Sequence, residues 1–298
     1  SEQRASDTNG FTRQNWWGPV GEECKMLRDR AGIIDISNFA KYICKGAGAA
    51  DWLNAIFANN MPKTVGRSCL TPLIGKRGGI AGDFTVTKLA EDEFWIIGSG
   101  MAERYHQRFF NAVPRPESVE FQSQTQAMCG FNVAGPKSRE LLARLTNADL
   151  TTDAFPFMRS ARITLAGIEL VALRVSFTGD LGWELHCKTE DQVALYTALL
   201  DAGRALGAGP VGSRALMSLR IEKGYGSWSR EYSPEYWPQE VGFERLCKLD
   251  KDFLNKDAYV ALKDNPAREM LSIIEVLDVT DADATGGEPI FLPDGTPV

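Results

Sequence analysis

Residues 176–186 read Ser-Phe-Thr-Gly-Asp-Leu-Gly-Trp-Glu-Leu-His, and the interpretation of the whole chain begins from this stretch. A β-branched and aromatic lead-in reaches a Gly-Asp turn, after which a second apolar strand carries one carboxylate. Trp183 and Leu185 alternate with Glu184, so on a strand the carboxylate points to the face opposite both. The stretch therefore predicts a strand, a turn and a strand, with Glu184 either in water or directed into a pocket.

Length and composition are those of an ordinary globular protein. The chain has 298 residues, of which 44% are hydrophobic and 24% charged, so it can bury a large core in one or two domains. A net charge of -6 argues against a nucleic-acid partner, because there is no excess of Lys and Arg to meet phosphates. No apolar run approaches the roughly 20 residues that a membrane-spanning helix needs. Residues 1–10 lack the apolar core of a secretory signal, so we expect neither a membrane partner nor secretion.

The cysteines and histidines argue against several kinds of chemistry. Six cysteines are scattered without a C-x-x-C pair, which predicts buried free thiols in a reducing compartment, the cytoplasm or, in a eukaryote, the mitochondrial matrix. There are two histidines, His106 and His186, so a histidine-rich zinc site is not expected. We expect no metal, and carboxylates, arginines and aromatic rings remain as the groups that carry the chemistry.

Predicted helices and strands are mixed along the chain in mostly antiparallel runs, which indicates an α+β fold. The order strand, glycine break and helix occurs twice, over residues 41–57 and residues 129–145, and we interpret it as a duplicated βαβ-type unit. Between the two copies, residues 70–97 predict a three-stranded meander. Residues 189–207 and 214–224 predict amphipathic helices, the second closed by a glycine.

The character of the chain changes toward its carboxyl end. Residues 272–277 are an apolar run, and the Asp-Gly pair at residues 294–295 lies between apolar residues, which favours a hairpin. The chain stops at Val298, immediately after this turn. We therefore expect residues 1–266 to form one domain and residues 267–298 to be the beginning of an incomplete β-domain.

Two glycine-rich stretches suggest different roles. Residues 46–51, Gly-Ala-Gly-Ala-Ala-Asp, lack the third glycine of a dinucleotide fingerprint, so we reject flavin or NAD binding by this segment. Residues 78–86 place Asp83 after glycines and among apolar residues. Such an acid is either partly desolvated, and so able to stabilise a nearby cation, or bonded to its own turn. The residues alone leave both roles open.

A predicted helix and the loop after it contribute further candidates. Arg214 and Arg220 lie on one helix, where surface salt bridges are the alternative to ligand binding. Residues 224–230 alternate aromatic residues with glycine and serine, a pattern typical either of a slot for a planar ligand or of a packed loop. Glu184 has a comparable alternative, as a solvated acid on a half-exposed strand.

Taken in order, these segments resemble the aminomethyltransferase family, the T-protein of the glycine cleavage system. Within that family they are most similar to the folate-binding half of sarcosine and dimethylglycine dehydrogenases. The matching segments lie between about Asn15 and Tyr259; they are residues 15–17, 20–24, 32–37, 78–86, 133–136, 176–186, 212–214, 219–225 and 252–256. The resemblance implies a T-protein-like fold of duplicated ferredoxin-like βαβ units with antiparallel sheets, followed by the start of a truncated C-terminal β-barrel.

The resemblance also implies a role for each candidate residue. Asp83 corresponds to the acid beside the reactive folate nitrogens, where a fixed anion stabilises a cationic donor and helps to move a proton. Glu184 corresponds to the acid that holds the pterin ring through two parallel N–H bonds. Arg214 falls on the arginine near the folate, which suits carboxylate or carbonyl recognition. Phe177 and Tyr225 fall where aromatic residues of the family line the ring.

Three departures from the T-protein pattern point to the dehydrogenase branch. T-proteins usually show two acids where this chain has Asp83 alone, and they often have tyrosine at the position of Phe177. Their asparagine after the meander is replaced near Gly98. A related branch, the folate-binding iron–sulfur assembly proteins, uses a cysteine after Lys-Gly, where this chain has Tyr225, so we set that branch aside.

We therefore expect an enzyme that transfers a one-carbon unit to tetrahydrofolate. The resemblance implies capture of an iminium or formaldehyde unit from an N-methyl glycine, of the sarcosine or dimethylglycine type, as 5,10-methylenetetrahydrofolate. FAD is expected only in an upstream amine-oxidising domain that is not part of this chain. The alternatives are a stand-alone folate-dependent aminomethyltransferase or demethylase, and a non-catalytic folate-binding module in which Asp83 performs no chemistry.

Overall fold

The computed structural model describes residues 12–278, 284 and 286–298, and it has the mixture of helices and strands that the sequence predicts. The helices are α1 (Trp17–Asp29), α2 (Ala49–Ile56), α3 (Glu103–Phe110), α4 (Ser138–Ala143), α5 (Gln192–Arg204), α6 (Ser213–Glu222) and α7 (Lys256–Val260). The strands are β1 (Gly32–Asp35), β2 (Ala40–Lys45), β3 (Ser68–Ile74), β4 (Ile80–Ala90), β5 (Glu93–Gly98), β6 (Glu120–Ser123), β7 (Met128–Ala134), β8 (Ser160–Leu165), β9 (Ile168–Leu173), β10 (Gly182–Lys188) and β11 (Gly209–Pro210). None of the helices in the described ranges is long and apolar enough to cross a membrane.

The strands form two sheets whose pairs are almost all antiparallel. One sheet has six strands in the order β11-β1-β7-β10-β9-β8, and the other has five in the order β3-β4-β5-β2-β6. The pair formed by β1 and β11 is parallel. The predicted meander is the β3-β4-β5 run of the five-stranded sheet, and the two predicted amphipathic helices are α5 and α6. The α+β class is therefore confirmed.

The two sheets pack face to face, and each carries helices on its outer face. The six-stranded sheet buries its outer face under α4 and α5, and the five-stranded sheet buries its outer face under α2 and α3. The inner faces meet where Trp95 and Ile97 of β5 pack on Val171 and Leu173 of β9. We call the region between the inner faces the inter-sheet space. Every second residue of a strand that borders it points into it.

Helices α1 and α6 cover the β1 end of the inner face of the six-stranded sheet. Leu27 of α1 and Leu219 of α6 pack with Ile34 of β1 in one buried cluster. Ile34 is opposite Asn132 of β7 in the strand register, so the two residues share the inner face. The inter-sheet space is therefore bounded on one side by β4 and β5 and on the other by α1 and α6.

Each sheet contains one copy of the predicted order of strand, glycine and helix. Strand β2 leads through Gly46 into α2, and β7 leads through Gly135 into α4. Both glycines have a positive φ, 111° and 118°, and a β-carbon on either would collide with the carbonyl oxygen of Ser118 or Leu27. Glycine is therefore required at both breaks. The repeat exists as local structure, and the duplication of a ferredoxin-like unit stays a prediction.

The segment before β10 differs from the predicted strand and tight turn. Residues 174–181 form an irregular loop. The Ser176 hydroxyl lies 2.8 Å from the Thr178 hydroxyl, and Asn132 Nδ2 donates to the carbonyl of Val175 at 3.3 Å. The Asn132 side chain thus bonds a backbone carbonyl that a strand would pair with its neighbour, and β9 ends earlier than predicted.

The carboxyl-terminal segment has little regular structure. The described residues after position 270 contain one isolated bridge, between Phe291 and Pro297, around the predicted Asp-Gly turn. Arg268 ties the start of the segment to the buried Glu240, with Nε and Nη2 at 2.9 and 2.8 Å from its carboxylate oxygens. These described residues hold no strand of a barrel, so the barrel and the boundary before residue 267 stay predictions.

The six cysteines are free thiols, as predicted, although not all of them are buried. Cys24 and Cys69 are half-buried, whereas the other four are buried. Cys129 and Cys187 are opposite each other on β7 and β10, with their sulfur atoms 3.2 Å apart. Across the described part of the chain, no three His, Cys, Asp or Glu side chains are arranged to hold a metal ion.

Candidate functional site

Glu184 lies on the inner face of the six-stranded sheet. On β10 it is directly opposite Asn132 of β7 and Leu173 of β9. Trp183 and Leu185, on either side of it, are fully buried under the outer helices. The Glu184 side chain is 15% exposed. The alternation expected for a strand is therefore present, and the carboxylate opens into the inter-sheet space.

Asp83 lies on the inner face of the five-stranded sheet. Two residues further along β4, Thr85 is opposite Ile97, which packs on Leu173 of the facing sheet. Strand alternation gives Asp83 the same face as Thr85. Because Leu173 is the register neighbour of Glu184, the carboxylates of Asp83 and Glu184 open into the same inter-sheet space from opposite sheets.

The environment of Asp83 favours its protonated form. Burial raises the pKa of the Asp83 carboxyl from 3.8 to about 6, although a hydrogen bond from its own backbone acts in the opposite direction. Tyr232, in the loop after α6, lies nearby: burial raises the pKa of its phenol, and the Asp83 charge adds to that rise. A carboxyl that changes its protonation near neutral pH suits proton transfer.

The raised pKa of Asp83 predicts a pH-dependent effect of Asp83→Asn on stability. The folded pKa lies above the unfolded one, so wild-type stability is fully present below pH about 4 and is lost as the pH rises through about 6. Asparagine stays neutral, so we expect the variant to be more stable than wild type at pH 8, by about 2 kcal/mol. At pH 4 the two proteins should have equal free energies of unfolding.

Urea denaturation at both pH values measures this difference. Asp92→Asn, in the exposed turn after β4, is the matched control and should be neutral at both. Equal stabilities of wild type and Asp83→Asn at pH 8 would show that the Asp83 carboxyl is well solvated.

Asn132 is a buried polar residue that the sequence interpretation missed. Its Nδ2 donates to the carbonyls of Trp183, at 3.2 Å, and Val175, at 3.3 Å, and its Oδ1 accepts a hydrogen bond from the Ser176 hydroxyl at 3.3 Å. It therefore holds the loop that precedes β10 beside Glu184. The available signal was a single amide within the otherwise apolar run Cys-Gly-Phe-Asn-Val-Ala.

Phe177 and Tyr225 form an aromatic stack. Their ring centroids are 6.2 Å apart and their planes are inclined by 17°. Phe177 also packs on the apolar cluster of α1 and α6, whereas Tyr225 is 41% exposed. The structure thus brings together two residues that the sequence selected separately, and Tyr225 offers an exposed aromatic ring to a ligand.

Arg220 is buried, so the alternative of a surface salt bridge does not hold for it. Its Nη1 donates to Glu231 Oε2 at 2.6 Å and to the Tyr225 carbonyl at 2.9 Å. Gly224, with φ of 68°, turns the chain at the end of α6 as predicted. Removing one partner of a buried ion pair typically costs about 3–5 kcal/mol. Arg220 therefore anchors the loop that carries Tyr225 and, further on, Tyr232.

The glycine- and aromatic-rich loop, residues 224–230, divides into an exposed part and a packed part. Tyr225 forms the exposed stack with Phe177. Trp228 packs on Tyr105 and His106 of α3, with ring centroids 5.4 and 5.1 Å apart. The packed-loop alternative therefore holds for Trp228, and the slot for a planar ligand at Tyr225 stays a prediction.

Arg214 lies in the first turn of α6, on the exposed side of that helix. Its guanidinium carbon is 4.4 Å from the centroid of the Trp16 ring, a cation–π contact with the segment before α1. The structure thus places Arg214 against the amino-terminal segment. Its contact with folate stays a prediction.

Lys41 is a second buried group that the sequence interpretation missed. It is fully buried on the inner face of β2, and its Nζ donates to the carbonyls of Ser37 and Phe39, both at 2.9 Å. Burial lowers the pKa of its ammonium, while nearby negative groups, Glu184 among them, act in the opposite direction. A buried cation therefore lies near the Glu184 carboxylate.

Two surface concavities lie away from the inter-sheet carboxylates. A cleft of about 530 Å³ is lined by residues 143–148 and 162–164 at the β8 edge. Another, of about 430 Å³, lies between the turn at residues 75–79 and α3. Neither is lined by Asp83 or Glu184, so the size of a concavity does not identify the candidate site. The candidate site is identified instead by the arrangement of titratable groups on the two inner faces.

Comparison with known proteins gives consistent similarities. The GCV_T family, described as the GCVT N-terminal domain, matches residues 3–251. Mitochondrial dimethylglycine dehydrogenase of Mus musculus is 35% identical over 285 residues, which cover 94% of this chain and 33% of that protein. Mitochondrial sarcosine dehydrogenase of Homo sapiens is 31% identical over 259 residues, which cover 80% of this chain and 28% of that protein. The chain thus spans about a third of the length of these two relatives.

A solved structure shares the fold. The glycine cleavage system aminomethyltransferase T from Bartonella henselae superimposes with a TM-score of 0.76 at 18% sequence identity. The match covers 99% of this chain and 80% of that chain. At this identity the likeness establishes the fold alone.

Proposed function

The chain belongs to the GCV_T family, and from that membership we propose that it is a tetrahydrofolate-dependent one-carbon transfer domain. The donor we propose is an iminium or formaldehyde unit from an N-methyl glycine of the sarcosine or dimethylglycine type. The product is 5,10-methylenetetrahydrofolate. The similarity to two dehydrogenases that act on such amines by name supports this choice of donor.

The observation that carries the proposal is the pair of carboxylates that open into one inter-sheet space from opposite sheets. Glu184 has a backbone held on both sides by neighbouring strands, so its position is rigid. Asp83 is half-buried, and its pKa is raised to about 6 by burial. The two acids therefore differ in environment, and such a difference suits one acid for holding a ligand and the other for proton transfer.

The residues around Glu184 fit a folate. A carboxylate can accept two parallel N–H bonds from the aminopyrimidinone edge of a pterin. Trp95 Nε1 is buried without a hydrogen-bond partner in the described residues, so the space contains a polar atom as well as apolar walls. Phe177 and Tyr225 supply the aromatic surface, and we propose that Arg214 contacts the ligand further out.

Asp83 performs the chemistry in this proposal. Bound tetrahydrofolate supplies the amine nitrogens that take up the one-carbon unit. The ionised Asp83 carboxylate stabilises the positive charge of the donor and accepts the proton that the attacking nitrogen loses. The proton then passes to the donor's nitrogen, or to its oxygen when the donor is formaldehyde, and the bond from that atom to the one-carbon unit breaks, so that an amine or water leaves as the second folate nitrogen closes the ring. Half-burial strengthens both effects, because a charge in a less polar environment interacts more strongly with its neighbours.

We further propose that the donor is produced by a separate flavin-dependent amine-oxidising domain. The dehydrogenases named above are about three times as long as the matched region, which leaves room for such a domain. FAD is assigned to that domain and not to this chain. We also propose that residues 1–266 form the folate domain and that residues 267–298 begin a β-barrel; the exposed apolar residues in the latter segment support this division.

Isothermal titration of the chain with tetrahydrofolate tests the proposal. We expect saturable binding at a single site, with quenching of the chain's tryptophan fluorescence as a second signal. Absence of binding up to millimolar tetrahydrofolate would contradict both the catalytic proposal and the non-catalytic folate-binding alternative.

A further inference from the structure

His186 is the only side chain that bonds the Glu184 carboxylate among the described contacts, and we infer that it is a positioning residue for Glu184. The inference rests on the proposed function, because Glu184 is taken as the residue that holds the pterin ring. His186 itself is fully buried and has no path to a ligand. Its role is therefore to act on Glu184 and not on the reacting atoms.

The geometry links the two residues along one strand. Glu184 and His186 are two positions apart on β10, so both point to the inner face. His186 Nε2 lies 3.4 Å from Glu184 Oε2. Lys41 is the buried cation on the facing sheet whose charge interacts with Glu184. The carboxylate is thus held from the sheet side by an imidazole and faces a buried ammonium.

The imidazole ring has little room to move. Gly130 is opposite His186 in the register, and a β-carbon there would lie 2.9 Å from His186 Nδ1. Trp95 of the facing sheet covers the ring, with centroids 5.9 Å apart. The imidazole therefore lies against the backbone of Gly130 on one side and under the Trp95 ring on the other, which leaves it little room.

This environment selects one tautomer. A carboxylate only accepts hydrogen bonds, so His186 must carry a proton on Nε2 to bond Glu184. Its Nδ1 has no partner in the described residues, and a buried unpaired N–H is costly. A ring that carries its proton at Nε2 and none at Nδ1 satisfies both conditions.

The consequence for Glu184 is pre-organisation. Each carboxylate oxygen has two lone-pair directions, so the bond from His186 leaves capacity for two parallel N–H bonds from a pterin. Holding the carboxylate in one rotamer removes an ordering cost from binding. Loss of the hydrogen bond should therefore weaken folate binding by about tenfold, since 1.4 kcal/mol corresponds to a factor of ten.

A double-mutant cycle with two His186 variants tests the inference. His186→Leu removes the donor and retains volume, and His186→Gln retains an N–H donor near the place of Nε2. We expect the Kd for tetrahydrofolate to rise about tenfold in His186→Leu and to stay within about threefold in His186→Gln. In the Glu184→Ala background, His186→Leu should have no further effect, because the group on which it acts is gone.

The opposite results overturn the inference. Equal tenfold losses caused by His186→Leu with and without Glu184 would indicate a structural role, as would a His186→Gln variant as weak as His186→Leu. If Glu184→Ala itself leaves the Kd unchanged, Glu184 does not hold the pterin ring, and that part of the proposed function fails. The inference about His186 then fails because its premise is wrong, and not because His186 has a structural role.

Nitrogen-15 NMR of the imidazoles supplies a measurement that needs neither folate nor a stable leucine variant. The chain has two histidines, so His106→Asn assigns both ring systems. We expect wild-type His186 to be protonated at Nε2 and not at Nδ1, and Glu184→Ala to change this signature. A ring protonated at Nδ1, or a spectrum that Glu184→Ala leaves unchanged, would contradict the hydrogen bond.

Discussion

Replacing Asp83 with asparagine is expected to lower the enzyme-dependent rate of methylene transfer by on the order of 10²- to 10³-fold, with little change in the Kd for tetrahydrofolate. Asparagine has a similar shape but can neither accept the proton of the attacking nitrogen nor offset the donor's charge. The rate is measured from formaldehyde and tetrahydrofolate after subtraction of their uncatalysed condensation. Isothermal titration of the same variant gives the affinity.

The effect of Asp83→Asn on the transfer rate is expected to depend on pH. The carboxyl of Asp83 has its pKa raised by burial to about 6, so the active ionised form increases as the pH rises through that value. The ratio of wild-type to variant rates should therefore be small at pH 5 and reach its plateau by pH 7.5. Asp92→Asn, on the exposed turn, should match wild type throughout. An Asp83→Asn variant with an undiminished rate would favour the non-catalytic folate-binding module.

Glu184→Ala is expected to weaken tetrahydrofolate binding by on the order of 100-fold. Two charge-assisted hydrogen bonds to the pterin edge are lost, each worth about 1.5–3 kcal/mol, and water entering the space compensates in part. The measurement is a titration of folded variant and wild type, with far-ultraviolet circular dichroism as the check on folding.

The control for Glu184→Ala is Glu169→Ala, which removes an exposed carboxylate from the adjacent strand β9. Its affinity should equal that of wild type, which separates a specific loss from an effect of total charge. A Kd for Glu184→Ala within a factor of two of wild type would mean that Glu184 does not hold the pterin ring.

The elements of the fold were predictable where the sequence pattern is local. Apolar spacing located the β3-β4-β5 meander and helices α5 and α6, and Gly224 predicted the end of α6. The loop over residues 174–181 was not predictable from the same patterns. Its course depends on the buried amide of Asn132, which is more than forty residues away in the chain. Such a side-chain bond leaves no periodic signal.

The candidate site was predictable as separate residues but not as an arrangement. Alternation on β10 correctly indicated that the Glu184 side chain points to the face opposite Trp183 and Leu185. The facing position of Asp83 depends on how two sheets pack, which no window of sequence contains. Lys41 was not singled out from sequence, and a surface salt bridge was one of the two roles considered for Arg220, because lysine and arginine are usually exposed. Their burial follows from partners supplied by distant segments, namely backbone carbonyls for Lys41 and Glu231 for Arg220.

The bond between Arg268 and Glu240 has a consequence for protein engineering. Hydrogen bonds from Arg268 hold the pKa of the Glu240 carboxyl down to about 2, so this tether persists across the pH range of ordinary assays. Any domain fused after residue 270 would begin at a fixed point of the structure and not at the end of a flexible linker. Residues 271–298 could then be exchanged for a reporter domain, with the distance from the reporter to the inter-sheet carboxylates set by the tether.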